Sequence, residues 1–212
     1  MALHWKDIIN TYNGRDVLYV KNYHGNPYSY SFNLQYKGHH ARLFFSWEIK
    51  ATILEKLFEG KYNIRLGQLG YLGYPEYRQR CVRAGQSDFY IELTGHAAQF
   101  AAIPNNWFNR LGWNRIEPTE ISLKERFVIQ GKPAEVYNLV EKELLQLSQL
   151  IPDVKLAIRT DYEDAITLKF YLHLRVGDVV TNRQLLERIL ALTTAMAEKL
   201  SPPAPAGNNV KS

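Results

Sequence analysis

From Tyr28 to Tyr36 the chain alternates without a break. Tyr28, Tyr30, Phe32, Leu34 and Tyr36 fall on one side, and Ser29, Ser31, Asn33 and Gln35 on the other. Successive side chains leave a strand on opposite faces, so this period of two predicts a half-buried strand. "KGHH" at 37–40 supplies a turn, with Gly38 able to take positive φ, and residues 41–49 return as the second arm of a hairpin. The same alternation runs from Ile166. Ile166, Leu168, Phe170, Leu172, Leu174 and Val176 face one way, and Thr167, Lys169, Tyr171, His173 and Arg175 the other.

Elsewhere the apolar spacing is helical. Leu3, Trp5, Ile8, Ile9 and Tyr12 share a face that "NG" at 13–14 terminates. Val136, Leu139, Val140, Leu144, Leu147 and Ile151 make a stripe, with Pro133 in the first turn and Pro152 at the end. The last helix opens with Thr181 and Gln184 at capping-box spacing and buries Leu185, Leu186, Ile189, Leu190, Thr193, Met196, Ala197 and Leu200. Between these elements, "ILEKLF" (53–58) predicts a short helix, and "YNIRL" (62–66), "ISLKERFVIQG" and "VKLAIR" predict strands. "EYRQRCVR" and "DFYIEL" read as a hairpin across "AGQS", "DYED" (161–164) as a turn, and residues 97–118 as an irregular connection with a helical turn.

The C-terminal order is thus β-α-β-β-α. Helices with one apolar stripe need one sheet face to cover, so the expected class is α+β, an antiparallel sheet with amphipathic helices packed on one face. The expected organisation is a Tyr-rich, mostly β part (1–118), a β-α-β-β-α part (119–201) packed on it as one compact unit, and a Pro-rich disordered tail (202–212). No run approaches the roughly 20 apolar residues of a spanning helix, and no secretory leader is legible. With a single cysteine, no internal disulfide forms, and a cytoplasmic location is the expectation.

Charge changes the picture in one place. The net charge is +5, and residues 1–118 hold 14 Lys+Arg against 9 Asp+Glu, whereas 119–212 hold 12 of each. Much of the excess sits in 61–83, where Lys61, Arg65, Arg78, Arg80 and Arg83 face only Glu76. Part of this segment, "GYLGYPEYRQRCVR" (70–83), interleaves arginine with tyrosine. Arginine forks bind phosphate or carboxylate, and tyrosine stacks on bases or sugars. Tyr74, Tyr77, Arg78, Arg80 and Arg83 are therefore the candidate binding residues. The plainer alternative is a solvated edge strand whose charges discourage aggregation.

Catalytic and metal signatures are weaker. Phosphate-loop, dinucleotide, nucleophile-elbow and zinc-protease motifs are absent, and neither a metal site nor a cofactor is expected. His39 and His40 are neighbours in a turn, where side chains diverge, so they read as solvated turn histidines. Cys81 lies among arginines that would favour its thiolate, but strand geometry sends Arg80 and Val82 to the opposite face. His173 lies on a polar strand face and reads as surface.

From about Pro104 to Leu200 the chain resembles uncharacterised bacterial proteins of unknown function. The residues carrying this are "IPNNWFNRLG", "ERFVIQGKPAEVYNLVEKELLQL", the "VKLAIR"/"AITLKFYLHL" pair and the closing helix. In such proteins a strand ending like "RFVIQG" leads into a helix, two strands and a last helix, so the resemblance implies the α+β class. Such proteins often accompany a membrane segment, which is not legible in this sequence. The resemblance implies no activity. The expected function is a non-catalytic binding or interaction module, self-associating or held in a larger assembly with a protein partner. The alternatives are nucleic-acid or anionic-ligand binding through 61–83, or an enzyme using Cys81 or His173.

Overall fold

The computed structural model describes residues 2–20, 28–50, 82–94, 99–106, 109–111, 114–162 and 168–201. In chain order these form α1 (Ala2–Thr11), β1 (Arg15–Val20), β2 (Tyr28–Tyr36), β3 (His39–Lys50), β4 (Val82–Leu93) and β5 (Gln99–Pro104). A 3-10 turn (Asn109–Leu111), β6 (Arg115–Ile116), α2 (Ile121–Arg126), β7 (Phe127–Lys132), α3 (Val136–Leu150), β8 (Val154–Tyr162), β9 (Leu168–Val176) and α4 (Arg183–Leu200) follow. The strands make one nine-stranded sheet, ordered β1-β2-β3-β4-β9-β8-β5-β7-β6, with antiparallel neighbours throughout: a mixed α+β fold. Early and late strands belong to the same sheet, because β4 pairs with β9.

The β2–β3 hairpin closes on Tyr36 opposite His39, with positive φ at both Lys37 (49°) and Gly38 (85°). That backbone twist matches the right-handed twist of the flanking strands. Alternate residues of the central strands enter the core: Phe32 and Leu34, Leu43 and Phe45, Phe89 and Ile91, Leu172 and Leu174. They meet Trp5 and Ile8 of α1, Val140, Leu144 and Leu147 of α3, and Ile189, Leu190 and Met196 of α4 in one cluster. Burial of these alternate positions fixes the register, since a slip of one residue would expose them all.

Several sequence expectations are corrected. "AGQS" is no turn: β4 runs straight through it. Ser87 in that stretch is buried and ties β4 to the segment before α4, donating to the Asp178 carbonyl (2.8 Å) and accepting from Val180 N (2.8 Å). Ile121–Arg126 is helical rather than extended, because its Lys, Glu and Arg are good helix formers and only Leu123 needs burial. Gln99–Pro104, expected to be irregular, is a strand between β8 and β7. Arg15–Val20, which no pattern picked out, is an edge strand with every residue exposed.

The α3 stripe of Val136, Val140, Leu144, Leu147 and Ile151 is buried as expected, but Leu139 is exposed and Tyr137 is buried in its place. The helix starts at Val136, three residues after Pro133. Asn182, not Thr181, caps α4, its Oδ1 accepting from Leu185 N at 3.0 Å. Leu168, expected inward, is exposed, and Asp161 and Tyr162 continue β8 instead of turning. Segments 53–58, 62–66 and 202–212 lie outside the described residues.

Gly85 is placed by crowding. A Cβ there would sit 2.2 Å from Val179 Cγ2 and 3.1 Å from the Ser46 carbonyl oxygen. The Gly85→Ala variant should therefore lose about 1–3 kcal/mol, the usual result of overpacking. Urea midpoints measure this, and an unchanged midpoint would show that the 177–180 segment yields freely.

Candidate functional site

Between the core-facing residues of β2, β3, β4, β9 and β8 lie those of the opposite sheet face, and register sets them in rows. One row is Asn33, Arg42, Tyr90, His173 and Ala157. The next is Ser31, Phe44, Asp88, Arg175 and Lys155. On the other flank Tyr171 pairs with both Glu92 and Arg159. A cavity of about 650 Å³ opens on this face, lined among others by Arg42, Phe44, Asp88, Tyr90, Arg159 and Tyr171.

Asp88 is the structural centre. It is only 1% exposed, and a carboxylate so placed is costly unless its lone pairs are satisfied. Oδ1 accepts from Arg175 Nε at 2.7 Å and lies 2.7 Å from His173 Nε2, while Oδ2 accepts from Gln86 Nε2 at 2.9 Å. Burial pushes the carboxyl upward, but the hydrogen bonds from His173 and Arg175 and their charge outweigh it, leaving the group below its ordinary value.

Tyr90 stacks on His173, with ring centroids 4.3 Å apart and planes within 4°. Tyr171 meets Tyr90 edge-on at 6.4 Å. Burial and the Asp88 charge raise the Tyr90 phenol above its ordinary value, against the opposing pull of Arg175, Arg159 and Arg42. Its ring is therefore a neutral, half-buried surface. Glu92 lies 3.0 Å from Lys169 Nζ and 3.5 Å from His40 Nδ1.

The remaining cations differ. Arg42, Arg159 and Lys155 are exposed, and among the described residues none of their side chains makes an ion pair or hydrogen bond. A cavity of about 620 Å³ beside α2 offers a contrast. There Lys124 lies 2.8 Å and Arg115 3.7 Å from Glu117, and Arg110 donates to Asn105 Oδ1 at 2.7 Å. The open sheet face thus combines a roomy concavity with unspent positive charge.

His173, expected at the surface, is 4% exposed and lies behind Tyr90, so this strand face is not simply solvated. His39 and His40 are corrected too. They begin β3, half-buried, and His39 lies 3.7 Å from Glu198. Tyr74, Tyr77, Arg78, Arg80 and Cys81 lie outside the described residues, and Arg83 falls on β4 opposite Ile49. Sequence reasoning did not single out Asp88, Tyr90, Arg42 or Arg159. The alternation in "SDFYIEL" marks Asp88 and Tyr90 as facing away from the core, but their neighbours come from register with distant strands.

Among the described residues no group of three or more His, Cys, Asp or Glu is arranged to hold a metal, and no helix is long and apolar enough to cross a membrane. No family model, curated protein or solved structure matches the chain.

Proposed function

We propose that this chain is a non-catalytic, cytoplasmic binding module that holds an anionic ligand on the open face of its sheet. The observation carrying this reading is the pair Arg42 and Arg159, exposed and without ionic partners among the described residues, at the margins of the open-face cavity. Guanidinium groups present planar donor forks suited to phosphate and carboxylate. The frame is the run of strands β2-β3-β4-β9-β8, to which the C-terminal β-α-β-β-α unit contributes β8 and β9, with helices on one sheet side and the other left for ligand. The 61–83 stretch, with Tyr74, Tyr77, Arg78, Arg80 and Arg83, joins this reading by its chemistry. The resemblance over residues 104–200 accords with the α+β frame and brings no activity of its own. His173 serves as a wall behind Tyr90, its Nε2 committed to Asp88, rather than as an acid or base.

Tripolyphosphate is the direct probe. Calorimetry should show binding that Arg42→Ala and Arg159→Ala each weaken about tenfold, the loss of a charge-assisted hydrogen bond. Binding indifferent to both substitutions rejects this reading.

A second reading, contact with another copy or a protein partner, is favoured by β1. Its Val17, Leu18, Tyr19 and Val20 are all exposed on an edge strand, the kind of edge natural proteins usually protect with charge. Light scattering tests it: Leu18→Lys with Val20→Lys should yield monomer from any oligomer. A wild-type monomer, or an oligomer that survives both lysines, removes contact between copies through this edge.

A further inference from the structure

We infer that the ligand of the open face is a single-stranded nucleic acid, its bases stacked on the face's aromatic rings and its phosphates held by the marginal cations. This inference rests on the anion-binding reading above.

The Tyr90–His173 stack sets the geometry. Parallel rings 4.3 Å apart on paired strands stand upright on the sheet and face one another along the hydrogen-bonding direction. The outer face of Tyr90 then looks toward β3, where its register partner is Arg42. Tyr90 and Arg42 both line the cavity, whereas buried His173 backs the ring. Neighbouring strands are only about 4.8 Å apart, so a flat group stacks on the neutral face of Tyr90 by displacing the exposed Arg42 side chain, whose planar guanidinium then covers its far face. Stacking between such surfaces is the sequence-tolerant way to hold an unpaired base. Phe44, two residues along β3 from Arg42, adds a second half-buried ring about 7 Å up the strand.

Charge spacing agrees with a polyanion. Arg42 on β3 and Arg159 on β8 are separated by two intervening strands, β4 and β9, and by a two-residue offset in register, which places their backbones about 16 Å apart. Lys155 and Arg159, four residues apart on one face of β8, are about 13 Å apart along the strand. Exposed arginine side chains can converge across such a gap on a short polyphosphate, and phosphates spaced by nucleosides fit both gaps as well. The local carboxylates do not repel such a chain, because Asp88 and Glu92 are engaged by Arg175 and Lys169. Duplex is disfavoured, since its bases are already stacked and a broad sheet face enters neither groove.

The test is fluorescence anisotropy with a labelled oligothymidine about 12 nucleotides long, within the range of known single-strand sites. The same sequence as a duplex, and tripolyphosphate as competitor, complete the set. Single strand should bind better than duplex, with a log–log salt slope near −2 for about three phosphate contacts. Arg159→Ala should flatten that slope by about 0.7. Tyr90→Leu should weaken binding roughly 5- to 100-fold with the slope unchanged, while Tyr90→Phe stays near wild type. Should Tyr90→Leu fail to fold, a 4-thiouridine oligomer photocrosslinked to wild-type protein should mark Tyr90 or Phe44. Equal affinity for duplex, insensitivity to Tyr90→Leu, or crosslinks confined to the helices would overturn the base-stacking inference. If tripolyphosphate binds through Arg42 and Arg159 but the oligomer does not, the anion reading survives and this one falls. If neither binds, both fall.

Discussion

Replacing Trp5 by alanine is expected to cost about 3–5 kcal/mol, a large part of the stability of an ordinary domain. Trp5 is 1% exposed and stacks on Phe45 at 4.5 Å and on Tyr30 at 5.0 Å. Its Nε1 donates to the buried Val180 carbonyl at 3.1 Å. One side chain thus fastens α1 to β2 and β3 and to the segment leading into α4. Alanine leaves a cavity the size of an indole and an unpaired carbonyl. Trp5→Phe should recover much of the apolar contact but not the hydrogen bond, and so fall between wild type and alanine. Urea unfolding measures both, and a loss below about 1 kcal/mol for Trp5→Ala would mean that α1 is not integral to the core.

Removing the Asp88 charge should be nearly as damaging, and in a pH-dependent way. Asp88→Asn leaves Arg175 and His173 facing a neutral amide, with an expected cost of about 2–4 kcal/mol near pH 7. The lower end is favoured because the Arg175 side chain is 39% exposed, so water takes up part of its charge. The folded carboxyl titrates below its ordinary value of 3.8. Its contribution is therefore complete above that value and is lost as pH falls through the lower folded one. The stability gap between wild type and Asp88→Asn should be widest near neutrality and narrow in acid below about pH 4. Paired urea melts near pH 7 and near pH 3 read this directly. A gap that is unchanged or wider in acid would show that Asp88 is not held as a carboxylate by its partners.

Both residues mark the boundary of what the chain's pattern discloses. Trp5 was legible, because its spacing with Ile8 places it on the buried side of a helix. The β2–β3 hairpin was legible for the same reason: its alternation is strict and its turn carries Gly38. Ile121–Arg126 misled because Ile121 and Leu123 mimic a period of two in a segment too short to show a period of 3.6. β4 misled because Gly85 and Ser87 carry turn chemistry, yet answer to close packing against Val179 and a hydrogen bond to the loop before α4. The open face was half legible. Alternation assigns Asp88, Tyr90 and His173 to the side away from the core, but only register sets Asp88 beside Arg175 and His173 beside Tyr90. These residues come from strands about 85 positions apart in the chain, and local periodicity carries no information about such pairing.

The central claim is that recognition takes place on the face of the sheet opposite the core. The most direct measurement is a nitrogen–proton NMR titration of the labelled protein with tripolyphosphate, following backbone amides and arginine Nε groups together. The expected result is saturable shifts at Arg42 and Arg159 Nε and at neighbouring amides of β3, β4, β9 and β8, with α3 and α4 silent. Shifts centred on the helices, or saturation that leaves both arginines unmoved, would contradict it.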